Sequence, residues 1–190
     1  MKTSEQVNRL VKLGLLAAIS LVLVYLIHFP IFPAAPFLEY DMADVPILIG
    51  TFLYGPAAGV LLTGVVSVLQ WLLISPQSGW IGAAMHFFAT AGFVLVAGNI
   101  YRRKRTRKGA VIALIAGACT MILLMIPLNL IFTGHFMGTP IQVVKDMMFP
   151  VIVPFNAIKA FGNGLLTFLL YKAVGKVLRL EREEVKVHHA

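Results

Sequence analysis

The sequence predicts an all-α integral membrane protein: six transmembrane helices, the second of them short, with both termini on the cytoplasmic side. Three observations carry this. Of the 190 residues, 59% are hydrophobic and only 13% charged, where a soluble domain carries about 25% charged residues. Apolar runs of spanning length recur from end to end, so residues 1–190 are expected to form a single membrane-embedded domain. Lys and Arg fall almost wholly into three blocks, Lys2 to Lys12, Arg102 to Lys108 and Lys172 to Lys186, each bordering an apolar run as cytoplasmic loops do. The alternating strands of about ten residues that mark an outer-membrane barrel are absent.

The first span runs from Leu10 to Phe29 and is stopped by Pro30 and Pro33. Basic residues followed by the apolar run from Leu13 to Ile27 also suit a secretory signal. Prolines at 30, 33 and 36 make a poor cleavage site, however, so a retained helix is expected. Gly14 and Ala18 form a small-xxx-small pair on it, which lets another helix approach closely. The segment Phe37 to Asp44 is acidic and loop-like, and Asp44, just before Val45-Pro46, suits the N-cap of the next helix.

Val45 to Ile74 is apolar for 30 residues and could cross once or twice. A single crossing would put the block Arg102 to Lys108 outside, against the positive-inside rule. Two passes, Val45 to Tyr54 and another from Pro56, bring all three basic blocks inside. Gly55-Pro56 supplies the break, since proline suits a helix's first turn and glycine the end of the one before. The first pass falls short of the roughly 20 residues a spanning helix needs. It is therefore expected to be tilted, shielded by neighbours or partly re-entrant. Trp80 to Tyr101, Gly109 to Phe132 and roughly Met147 to Val174 complete the six. In this topology 14 of the 16 Lys and Arg residues lie at the inner side, the exceptions being Lys145 and Lys159.

Several function classes are excluded. The net charge of +8 is distributed as membrane-flanking blocks rather than as a nucleic-acid surface. No Gly-x-x-x-x-Gly-Lys-Ser/Thr loop occurs, so the chain does not hydrolyse ATP to power transport itself, and no H-E-x-x-H or G-x-S-x-G motif is present. The single Cys119 allows no intramolecular disulfide. No metal site is expected: His86 would need two or three further ligands at matching depth, for which only His135 and loop carboxylates are candidates, and it reads as a hydrogen-bonded packing residue, while His28 and His135 are boundary residues.

The polar residues within spans are Gln70, His86, Asn99, Asn129, Asn156, Lys159 and Asn163. Asn156, Lys159 and Asn163 follow at i, i+3 and i+7, within one helical arc of about 60°. Lys159 lies eight to ten residues below the outer start of its span, roughly 12–15 Å deep. An ionisable residue at such depth usually faces a cavity, a partner or a substrate. Asn129, near the outer end of the fifth span, can share an outward-facing pocket with Asn156 and Lys159, whereas Asn99 lies near the cytoplasmic end. For any single Asn the alternative is an interhelical hydrogen bond. For Lys159 it is an ion pair with Asp41, Asp44 or Asp146. Leu38, Tyr40, Met42 and Phe155 could supply apolar walls. Together these residues suit a planar ligand with a polar edge.

Four segments carry a family resemblance: Phe37-Leu-Glu-Tyr-Asp-Met-Ala-Asp-Val-Pro46, Gly55-Pro-Ala-Ala-Gly59, Pro127-Leu-Asn-Leu130 and Pro154-Phe-Asn-Ala-Ile-Lys-Ala-Phe-Gly-Asn163. Over essentially its whole length the chain resembles the substrate-binding S components of energy-coupling-factor (ECF) vitamin transporters, most of all the riboflavin-specific branch. By that resemblance Asn129, Asn156 and Lys159 match positions that contact the flavin. Leu38 to Ala43, with Tyr40 and Met42, match the outer loop that caps it, and Asn163 joins the candidate ligand-binding residues through its spacing from Asn156 and Lys159. Gly14-x-x-x-Ala18 matches the helix-1 pair that meets the membrane coupling subunit. The resemblance implies a non-enzymatic subunit with no resident cofactor, capturing extracellular riboflavin for uptake driven by a coupling subunit and two cytoplasmic ATPase subunits. Its rivals are an S component for another vitamin, an intramembrane enzyme using His86 with an outer-loop Asp, and a purely structural subunit.

Overall fold

The computed structural model describes residues 2–33, 35–76, 79–136 and 138–187. Five of its helical stretches are long and apolar enough to cross a membrane: Glu5–Leu26, Pro56–Leu73, Gly79–Arg103, Arg107–Phe136 and Ile141–Val174. The 11-residue helix Asp44–Tyr54 is the sixth. The chain is a multi-pass membrane protein of the predicted helical class.

In chain order the elements are α1 (Lys2–Leu26), β1 (His28–Pro30), β2 (Glu39–Asp41), α2 (Asp44–Tyr54), α3 (Pro56–Leu73), α4 (Gly79–Arg103), α5 (Arg107–Leu128), α6 (Ile141–Met147) and α7 (Val153–Val187). Two π-helical segments interrupt the last spans: Asn129–Phe136 extends α5, and Met148–Ile152 joins α6 to α7. The sixth span thus starts at Ile141, six residues before the predicted Met147.

The break between α2 and α3 falls where the sequence puts it. Gly55 has φ +93°, a left-handed conformation open to glycine, and Pro56 begins α3. The short α2 is shielded by protein: residues 44–52 are all buried, and α1, α3, α4 and α7 pack around it. Glycines allow the close approach. A Cβ on Gly59 would collide with Thr51 of α2, and one on Gly98 would lie 2.8 Å from Thr51 and 2.9 Å from Pro56. Small residues at helix contacts are how membrane bundles reach close packing.

α1 ends three residues before the predicted Phe29. The chain instead turns extended, and β1 pairs antiparallel with β2, His28 opposite Asp41 and Phe29 opposite Tyr40. Pro30, which has no N–H to donate, sits at the hairpin's end. The loop between these strands carries Ala35 and Leu38 into a second apolar cluster with Val144, Met148, Ile152 and Phe155. It therefore packs against α6, the π segment Met148–Ile152 and the first turn of α7.

Candidate functional site

A cavity of about 250 Å3 opens beneath this loop, just under the usual range for small-molecule sites of about 300–1,000 Å3. Phe37, Leu38, Glu39 and Asp41 of the loop roof it. Its walls come from four helices: Ser67, Gln70 and Trp71 of α3, Met85, His86 and Ala89 of α4, Met121 and Met125 of α5, and Phe155, Asn156 and Lys159 of α7. Asn129 and Thr133 line it from the π segment after α5. The three residues expected to share a pocket, Asn129, Asn156 and Lys159, thus do so, and all are buried.

The two π segments set this wall. Asn129 opens one, and its amide donates to Met125 O at 2.8 Å while its oxygen accepts from Thr133 Oγ1 at 3.2 Å. Asn156 stands one turn after the other and donates to Ile152 O at 2.8 Å. Single π turns recur at functional sites because they re-aim side chains without ending the helix. Asn156 Oδ1 is buried with no hydrogen-bond partner, and so is Gln70 Oε1 on α3. Buried polar atoms are nearly always paired, so both acceptors are open to a ligand donor.

Lys159 Nζ donates to Asp41 Oδ2 at 2.7 Å. The ion pair weighed against ligand binding for this lysine is therefore present, with the first of its three suggested partners. An ammonium has three donors, and this bond uses one of them. Behind the pair, Asn163 Nδ2 donates to Asp41 O at 3.0 Å and lies 3.4 Å from Asp44 Oδ2. Tyr40 donates its hydroxyl to Asn163 Oδ1 at 3.0 Å. Burial, reinforced by the Asp41 carboxylate, holds the Tyr40 hydroxyl above the usual tyrosine range, so it remains a donor at neutral pH.

Asp44 corrects an expectation. It does not cap α2: Ala43 occupies the N-cap without a side-chain bond, and Asp44 sits fully buried in the first turn. Its Oδ1 accepts from Thr90 Oγ1 at 2.9 Å and meets His86 Nε2 at 3.2 Å. A buried carboxylate must find such donors, and α4 and α7 supply them where an exposed cap would use its own helix. His86 is hydrogen-bonded as expected, its Nδ1 lying 3.1 Å from Ser67 Oγ.

Of the other sequence-derived candidates, Leu38 lines the cavity, whereas Tyr40, Met42, Ala43 and Asn163 stand outside the lining. Tyr40 and Asn163 brace the loop from behind, and Ala43 O accepts from Ser20 Oγ of α1 at 3.0 Å. Gly14 and Ala18 are exposed on α1, and a Cβ on Gly14 would meet nothing within 4 Å. Ser67, Trp71 and Thr133 were not singled out by the sequence. Their signal is the spacing from Gln70 and Asn129, at i−3, i+1 and i+4, visible only once the cavity face is known.

A family model described as "ECF transporter, substrate-specific component" matches residues 8–171. The riboflavin transporter RibU of Staphylococcus aureus (strain TCH60) is 32% identical over 181 residues, covering 92% of this chain and 94% of that protein. The riboflavin transporter FmnP of Bacillus subtilis (strain 168) is 32% identical over 175 residues, covering 87% and 91%. A solved S component of a bacterial ECF transporter superposes with a TM-score of 0.76 at 33% identity, over 91% of this chain and 98% of that one. The S component for biotin of an ECF-type ABC transporter gives a TM-score of 0.64 at 16% identity over 90% and 95%, a likeness of fold.

Proposed function

The chain belongs to the family of ECF transporter substrate-specific components, and on that premise we propose that it binds riboflavin in the cavity between α3, α4, α5 and α7. The observation that carries this reading is the polar wall of Asn129, Asn156 and Lys159 facing a largely apolar cavity, with Asn156 Oδ1 open. The pyrimidine edge of isoalloxazine alternates carbonyl acceptors with one N–H donor. Asn156 Oδ1 accepts from that N–H, and the remaining donors of Asn129 and Lys159 serve the carbonyls. Met121, Met125, Leu38 and Phe155 cover the faces of the ring. Phe37, Leu38, Glu39 and Asp41 cover the cavity, so riboflavin enters past this segment. Asn163 braces this segment from α7 through the Tyr40 hydroxyl and the Asp41 main-chain oxygen, and Ser20 of α1 holds it at Ala43 O.

The positive-inside rule places the three basic blocks in the cytoplasm of a cell membrane and the cavity toward the outside. Uptake is then driven by partners, a membrane coupling subunit and two ATPase subunits. The exposed Gly14–Ala18 face of α1 is the surface that suits the first of these.

The chain performs no chemistry on its ligand and carries no resident cofactor. Ser67, His86 and Asp44 form a hydrogen-bonded row reminiscent of a hydrolase triad. Ser67 lies inside α3, however, where neighbouring backbone N–H groups are committed to the helix and cannot form an oxyanion hole. The row is better suited to satisfying the buried Asp44 carboxylate.

The test is the visible spectrum of the purified protein, followed by titration of flavin-free protein with riboflavin. Retained flavin or saturable binding is expected. A colourless protein that binds no added riboflavin refutes the assignment.

A further inference from the structure

We propose that the corner where α4 meets α5 binds an anionic phospholipid of the adjoining leaflet, with the basic block Arg102 to Lys108 holding the headgroup and Asn99 reaching it from within the span. Six of the seven residues 102–108 are Lys or Arg, and all seven are exposed. The chain has no Asp or Glu between Asp44 and Asp146, so α3, α4 and α5 hold nothing to neutralise them. Among the described residues the ion pairs are Lys159–Asp41 and His86–Asp44, and neither involves this block. Arg107 and Lys108 also stand in the first turn of α5, where the helix dipole disfavours cations. The cluster thus repels itself and its own helix, and an anion from outside the chain relieves both.

The corner is a held shape and not a loose tail. Only Lys104, Arg105 and Thr106 separate the two helices. Lys104 N donates to Ile100 O at 3.1 Å and Thr106 N to Lys104 O at 2.9 Å. The Thr106 hydroxyl caps α5, accepting from Gly109 N at 3.0 Å. A Cβ on Gly109 would fall on the Lys104 main-chain oxygen, so the turn is closed tightly. Cations on a fixed backbone lose less freedom when a headgroup binds than cations on a mobile tail.

Asn99 ties the site to lipid. It is exposed on α4, three and four residues before Arg102 and Arg103 and so on their face of the helix. It also lies inside the apolar span Gly79–Arg103. Its Nδ2 donates to Leu95 O at 2.8 Å, which leaves its oxygen available to a hydroxyl. A phosphodiester with a hydroxylated headgroup meets both demands, since the phosphate pairs with Arg and a hydroxyl donates to the amide oxygen. Clusters of about four to eight Lys and Arg beside a span are the general mark of attraction to an anionic leaflet. An acidic segment of a partner subunit is the competing occupant, but it would not reach an amide within the span.

The experiment titrates the purified full-length chain in a neutral detergent with phosphatidylglycerol, with phosphatidylcholine and with free glycerol phosphate, reading bound lipid by native mass spectrometry. Phosphatidylglycerol is expected to bind at least about tenfold more tightly than phosphatidylcholine, whose choline cancels the phosphate charge. Arg103→Gln with Arg107→Gln should cost about tenfold or more toward phosphatidylglycerol. Lys2→Gln with Lys172→Gln, which removes equal charge elsewhere, should change it by less than about twofold. Asn99→Leu should cost about threefold or more. Arg103, Arg107 and Asn99 are exposed, so unfolding temperatures in lipid-free detergent should stay within about 2 °C. Equal binding of the two lipids overturns the site and leaves the block to an acidic partner. An equal loss in the two charge variants, or unchanged affinity in Asn99→Leu, also overturns it, because the attraction is then diffuse. Displacement of the lipid by glycerol phosphate at comparable concentration would overturn the lipid assignment in favour of a free phosphate ester.

Discussion

Lys159 Nζ and Asp41 Oδ2 lie 2.7 Å apart, both on buried side chains, and so join α7 to the hairpin over a separation of 118 residues. Removing one member of a buried pair strands the other charge, at a cost of about 3–5 kcal/mol. Asp41→Ala is therefore expected to lower the thermal unfolding temperature in detergent and to speed riboflavin release as the loop loosens. Replacing both, as Asp41→Ala with Lys159→Met, should recover part of the lost stability, since no unpaired charge remains. A double variant no more stable than Asp41→Ala would show that the pair does not hold the loop.

Asn156→Ala and Lys159→Ala should each weaken riboflavin binding by about tenfold or more, the effect of leaving a ligand hydrogen bond unmade at about 1–3 kcal/mol. Asn163→Ala gives the contrast. Its amide is spent on Tyr40, Asp41 and Asp44, so stability should fall more than affinity. Dissociation constants read from flavin fluorescence, set beside unfolding temperatures, distinguish the two patterns. Unchanged affinity in both Asn156→Ala and Lys159→Ala would remove the polar wall from the site.

The orientation can be read chemically. With Cys119→Ser as background, Arg105→Cys and Lys145→Cys place single thiols on exposed positions, one in the basic block and one on α6. In intact cells a membrane-impermeant maleimide should label residue 145 and not residue 105. The reverse result would turn the molecule over and face the cavity toward the cytoplasm.

How much of this was legible beforehand depended on the range of the forces involved. The α2–α3 break was legible because Gly55 and Pro56 constrain their own backbone whatever surrounds them. Asn129, Asn156 and Lys159 were legible as lining one cavity because a polar group within an apolar run must be explained locally. Asp44 was misread as a cap because its partners, Thr90, His86 and Asn163, come from helices remote in sequence. The π turns at Asn129–Phe136 and Met148–Ile152 leave no compositional trace, yet they change which faces reach the cavity. The strands of the hairpin are three residues each, too short for an alternating pattern to declare itself.

The packing that shields the short α2 makes a last prediction independent of any ligand. A Cβ added at Gly59 of α3 would fall on the Thr51 hydroxyl of α2, with Val94 Cβ of α4 3.1 Å away on another side. Thr51 is buried and its hydroxyl is committed to Ile47 O at 2.8 Å, so it has little freedom to yield. Gly59→Ala should therefore destabilise by about 1–3 kcal/mol, as overpacking of a tight contact does. Removing the obstructing group with Thr51→Ala makes room for the new methyl, so the double variant should be more stable than Gly59→Ala alone. Thermal unfolding of the three variants in one detergent gives the coupling. Purely additive effects would mean that α2 and α3 do not meet at these two residues.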